Sequence, residues 1–151
     1  MRAVPLHQLP RNSIVGQSDP LLLALGPVDG AHALVIGGAA LPTLCALIGG
    51  GCAGATQVSL HERPVALPEQ VEFALVPRVE SLAEAATAAA LASRALMTGG
   101  SIALRDASGG LAPAIADLLR RHGFRAVRVR ADADGAIVTG QRPLLAPLRR
   151  A

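Results

Sequence analysis

Few residues in this chain are placed for chemistry. Gly37 and Gly38 follow the apolar run Ala33-Leu34-Val35-Ile36, and glycine at a strand end lets bare backbone approach a ligand. His61 stands beside Glu62, the composition of a general base, but a His ending a strand reads as a capped or solvated side chain and no catalytic residue is assigned. Asp106 closes another apolar run, at the end of a strand where α/β sites assemble, and the adjoining Arg105 predicts a loop ion pair. Phosphate-binding P-loops, Gly-x-Ser-x-Gly elbows and His-Glu-x-x-His metal sites do not occur. Cys45 and Cys52 lie two helical turns apart, about 10 Å of rise and beyond disulfide reach. With no Cys-x-x-Cys and no His at ligand spacing, they are expected to be buried thiols rather than zinc ligands.

Charge narrows the partners. All 14 basic residues are Arg, against 11 acidic ones, for a net charge of +3. Arg120, Arg121, Arg125, Arg128 and Arg130 cluster, and in Val127-Arg128-Val129-Arg130 strand alternation puts the arginines on one face. That face fits an acidic partner or RNA, although a nucleic-acid surface would want more charge and some aromatic rings, and the chain has two Phe with no Tyr or Trp. The longest apolar stretch, residues 31–52, is interrupted by Pro42 and five glycines, and no basic-then-apolar leader opens the chain. The expectation is a cytoplasmic protein with no membrane span.

The elements that must carry these residues alternate. Asp19-Pro20 is an N-cap with proline at the first helical position, starting a short helix over 20–25. Ala33 to Ile36 reads as a strand buried on both faces, followed by a helix from Leu41 or Pro42 to Ile48 and the stop Gly49-Gly50-Gly51. Strands are expected at Gln57 to His61, Val71 to Val76 and Ile102 to Arg105. The capping box Ser81-x-x-Glu84 opens a long helix to Met97, stopped by a left-handed cap at Gly99-Gly100. Another helix holds Pro113 in its first turn and ends at Arg120-Arg121-His122 before Gly123, and a hairpin pairs 126–130 with 135–139. Strand–helix alternation closed by a hairpin is α/β with a mostly parallel sheet.

Three passages, Val71-Glu72-Phe73-Ala74-Leu75-Val76, Ala95-Leu96-Met97-Thr98-Gly99-Gly100 and Leu118-Leu119-Arg120-Arg121-His122-Gly123-Phe124, stand in the order and spacing of the segments around the fourth to sixth strands of class I S-adenosylmethionine-dependent methyltransferases. Residues 135–143 are similar to that family's last antiparallel strand. The resemblance covers about Asp19 to Pro143. It implies a Rossmann-like sheet with one inserted antiparallel strand and a cofactor above the first strand's carboxyl end. It also implies cofactor contacts at Gly37, Gly38 and Glu62, the last facing ribose hydroxyls; a solvated loop charge paired with Arg63 explains Glu62 equally well.

Two departures set the functional expectation. Val35 stands where the family has a carboxylate for the cofactor's ammonium, and Ala39 and Leu41 replace later glycines; losing one charged hydrogen bond costs about 1.5–3 kcal/mol. The eight residues 63–70, with Pro64 and Pro68, are also shorter than the roughly 10–12 that a crossover needs, so the third strand is expected to be missing. The chain therefore reads as an irregular arm (1–18), a reduced methyltransferase-like domain (19–143) and a tail (144–151). Its expected role is that of a pseudoenzyme, an interaction or regulatory module that forms a homo-oligomer or docks a protein partner, with no cofactor and no metal. The alternative is a minimal enzyme that binds S-adenosylmethionine through Gly37, Gly38 and Glu62.

Overall fold

The computed structural model of the protein describes residues 19–61, 70–132 and 135–143. The arm, the tail and Glu62 lie outside them. In chain order the elements are α1 (Pro20–Leu25), β1 (His32–Ile36), α2 (Leu41–Gly49), β2 (Gly54–Val58), β3 (Val71–Val79), α3 (Leu82–Ala95), β4 (Leu96–Asp106), α4 (Ala112–Arg121), β5 (Arg125–Asp132) and β6 (Gly135–Gln141). They form one six-stranded sheet in the order β2-β1-β3-β4-β6-β5. Strands β1 to β4 are parallel, and β6 runs antiparallel between β4 and β5. Among the described residues no strand pairs with the outer side of β2, and the segment 63–70, from which the third strand was expected to be missing, lies outside them except for Gln70.

Central strands are apolar on both sides because both sides are covered. Leu34, Ile36, Ala74, Val76, Ile102 and Leu104 pack under α3 and α4, while Ala33, Val35, Leu75 and Ala103 pack under α1 and α2. Helix α3 buries Ala85, Ala88, Ala89, Ala92 and Ala95, so its stripe toward the sheet is made of methyl groups. At its start the Ser81 hydroxyl accepts the Glu84 N–H at 3.1 Å, and the Glu84 carboxylate accepts the N–H of Glu80 at 2.9 Å. Asp19 caps α1 by accepting the Leu21 N–H at 2.9 Å. Helix α4 ends in a Schellman arrangement, with the Phe124 N–H bonded to the Leu119 carbonyl at 3.0 Å.

Four local expectations are corrected. The long helix stops at Ala95, not Met97, and no glycine caps it: Leu96 is already extended, and the Arg142 guanidinium donates to the carbonyls of Ser93 and Leu96. Gly99 and Gly100 lie inside β4, where the β3–β4 register shifts, and a Cβ on Gly100 would meet the Met97 and Glu72 carbonyl oxygens at 2.9 and 3.0 Å. Strand β2 begins three residues earlier than expected, because its pairing with β1 runs from His32↔Gly54 to Ile36↔Val58. Cys45 is exposed and Cys52 half-buried, since α2 turns Thr43, Ala46 and Leu47 to the sheet and Cys45 to the opposite side. Asp106 forms no ion pair with Arg105, because successive strand residues face opposite ways; Arg105 meets Asp132 at 3.2 Å.

Candidate ligand cleft

The carboxyl ends of β1, β2 and β3 open onto a cleft of about 370 Å³. Gly37, Gly38 and Ala39 line it from the loop after β1, Gln57, Ser59, Leu60 and His61 from β2 and the turn beyond it, and Arg78, Glu80 and Glu84 from the far side. Two of the three expected contacts, Gly37 and Gly38, thus share one cavity. The third, Glu62, follows His61 in the chain but lies outside the described residues.

The glycine loop is held by the protein's own side chains. Gly37 adopts φ +95°, a left-handed conformation that disfavours any Cβ, and its N–H donates to the Val58 carbonyl at 2.8 Å. Its carbonyl accepts the Gln57 side-chain amide at 3.0 Å, and a Cβ placed on it would lie 3.2 Å from the Leu60 side chain. Ala39 also sits at positive φ, +56°, so a left-handed turn is retained although a methyl group now occupies it. Val35 is fully buried, packed with the aliphatic side chains under α1 and α2.

Carboxylates on the far side are already engaged. Glu80 Oε1 lies 2.9 Å from Arg78 Nε, and Glu84 is committed to the cap of α3. Asp106 is fully buried at the end of β4, outside this cleft, and accepts the Ser108 hydroxyl at 2.7 Å, the Leu111 N–H at 2.7 Å and the Ser108 N–H at 3.1 Å. Burial alone would raise its pKa, but the Ser108 hydroxyl and the N–H groups of Leu111, Ser108 and Gly109 hold the carboxyl below its ordinary value. It organises the loop into α4. Asp106-Ala107-Ser108-Gly109-Gly110, an Asp two residues before Ser-Gly-Gly, is the sequence sign of such a turn, whereas nothing local marked Gln57, Leu60 or Arg142. Among the described residues no group of three His, Cys, Asp or Glu side chains could hold a metal ion.

Arg125, Arg128 and Arg130 are exposed on the outer strand β5, beside the end of α4 that carries Arg120 and Arg121. Arg120 is bonded to Asp117 at 2.9 Å. No helix among the described residues is long and apolar enough to cross a membrane.

No protein-family model and no curated protein matches the chain. Solved structures do. The precorrin-6y C5,15-methyltransferase of Geobacter metallireducens GS-15 superposes with a TM-score of 0.65 at 12% identity, over 82% of this chain and 85% of that one. The fold is that of a class I methyltransferase. A chain of the complex between the Haloferax volcanii Trm112 methyltransferase activator and the putative methyltransferase gives 0.64 at 8% identity, over 85% and 89%. The apo S-adenosylmethionine-dependent methyltransferase SibL gives 0.61 at 16% identity; 84% of this chain is covered, and it spans only 55% of SibL. In this methyltransferase fold the inserted antiparallel strand is β6, and the glycine loop after β1 sits at the carboxyl edge of the parallel strands.

Proposed function

We propose that the chain is a methyltransferase-like domain that has given up cofactor chemistry and serves as a cytoplasmic protein-interaction module, with residues 1–18 and 144–151 as appendages to the folded unit 19–143. The observation that carries this reading is the glycine loop, where Leu60 packs on Gly37 and Gln57 takes its carbonyl. An S-adenosylmethionine ammonium would find buried Val35 where the fold's carboxylate should be, and Glu80 and Glu84 already have partners. The residues present therefore do not fit the cofactor's amino-acid end. Losing one charge-assisted bond of about 1.5–3 kcal/mol weakens binding roughly 10- to 150-fold.

Isothermal titration of the full chain with S-adenosylmethionine and its demethylated product tests this. The expected result is no binding tighter than about 100 µM. Low-micromolar binding that is lost on Glu62→Ala would overturn the proposal in favour of the minimal enzyme contacting cofactor through Gly37, Gly38 and Glu62. What favours that second reading is the retained left-handed turn at Ala39 and the open cleft beside it. A role in docking draws support from the match to a complex containing a methyltransferase activator. The exposed arginines of β5 offer an acidic partner or RNA a second surface.

A further inference from the structure

The two edges of the sheet are built differently. At one edge β5 carries Arg125, Arg128, Arg130 and Asp132 and a register shift between Arg125 and Arg128, the devices that discourage a strand from pairing with a neighbour. At the other, β2 reads Gly-Ala-Thr-Gln-Val, with no charge, proline or bulge, and three of its five side chains are exposed. No Asp, Glu or Arg occurs between Asp29 and Glu62. Helix α2, which packs beside β2, turns Leu41 and Ile48 to solvent at 71% and 73% exposure, with Cys45 between them. Among the described residues, an edge this neutral lacks the protection of its counterpart.

The Val58 carbonyl accepts the Gly37 N–H, so residue 58 turns its backbone toward β1, and in a regular strand Gly54 and Thr56 do the same. Ala55 and Gln57 therefore aim their N–H and C=O groups at the side of β2 on which no described strand pairs. Four outward groups spaced in this way are self-complementary about a two-fold axis at Thr56.

We propose that β2 pairs antiparallel with β2 of a second copy of this chain, joining two sheets into one. Ala55 of each copy stands opposite Gln57 of the other and closes four N–H···O=C bonds, and the two Thr56 residues face each other as a non-hydrogen-bonded pair with Cα atoms about 4.5 Å apart. A second copy is the occupant that the charge pattern selects: an uncharged surface gains nothing from a charged partner, and the same uncharged surface on another copy repels nothing. The edge is about 17 Å long, enough to carry the four bonds. A self-paired edge would supply the contact that the interaction role needs, and molecular mass reports on it separately from the cofactor titration.

Light scattering on the full chain at about 100 µM should give twice the 15.3 kDa of one copy. In a Cys45→Ser background, mild oxidation should link Thr56→Cys into a dimer on a non-reducing gel. Ala55→Cys should stay unlinked, because its two copies are set two residues off the axis and beyond the roughly 7 Å limit for a disulfide. Ala55→Pro removes an outward N–H without touching the β1 ladder and should return the mass to that of one copy with the circular-dichroism spectrum unchanged. If Ala55→Pro fails to fold, the parent's mass and the two cysteine variants still decide the matter. A single-copy mass for the parent chain overturns the proposal, as it would if residues of the same chain covered the edge. Equal cross-linking at positions 55 and 56 overturns it too.

Discussion

Replacing Asp106 by Asn probes the turn that launches α4. The carboxylate is fully buried and accepts two hydrogen bonds of 2.7 Å and one of 3.1 Å. Asn keeps one acceptor oxygen and turns an NH2 group toward a donor that had been satisfied, so one or two charge-assisted bonds are lost. At about 1.5–3 kcal/mol each, discounted because the loop can rehydrate, the expected destabilisation at pH 7 is about 2–4 kcal/mol. For a chain of this length that lowers Tm by roughly 5–15 °C. Circular dichroism with urea or heat is the suitable assay, since the chain lacks Trp and Tyr. The pKa of Asp106 is lowered in the folded state, so its contribution is fully present above the unfolded carboxyl's value near pH 4 and is lost as pH falls through the folded value. The gap between parent and Asp106→Asn should accordingly narrow on acidification from about pH 4, where the unfolded carboxyl takes up its proton, and close as pH falls through the lower value of the folded one. A gap that is the same at pH 7 and pH 3, or a variant as stable as the parent at pH 7, would refute the argument.

Two further outcomes follow from the same geometry. Arg142→Ala should cost about 1–3 kcal/mol in thermal unfolding, because the Ser93 and Leu96 carbonyls at the end of α3 lose a charged donor, while Arg142→Lys should recover part of it. Ala39→Gly should leave stability unchanged or raise it by up to about 1 kcal/mol, since relief of a left-handed alanine outweighs the added chain entropy; Ala39→Val should destabilise, and the same melts measure both.

The order of elements was legible in residue pattern. Runs such as Ala33 to Ile36 are apolar at every position, and only a strand covered on both faces asks for that. Asp19-Pro20 and Ser81-x-x-Glu84 mark helix starts because a cap is made by residues two or three apart, within reach of local spacing. Gly37 and Gly38 were placed at the carboxyl end of β1 by the same local logic, and they line the cleft.

What escaped the pattern depends on groups far apart in the chain. Helix α3 ends where the Arg142 side chain arrives from 46 and 49 residues away, so the paired glycines that looked like its stop fell inside β4 instead. The bounds of β2 follow its ladder with β1, and the thiol of Cys45 is exposed because only packing decides which face of a helix without charged residues meets the sheet. The contacts of Leu60 and Gln57 with the glycine loop likewise join residues with no spacing relation to Gly37. Local periods and caps are written over a few neighbouring residues, but the lining of a cleft is assembled from side chains that only the closed sheet brings together.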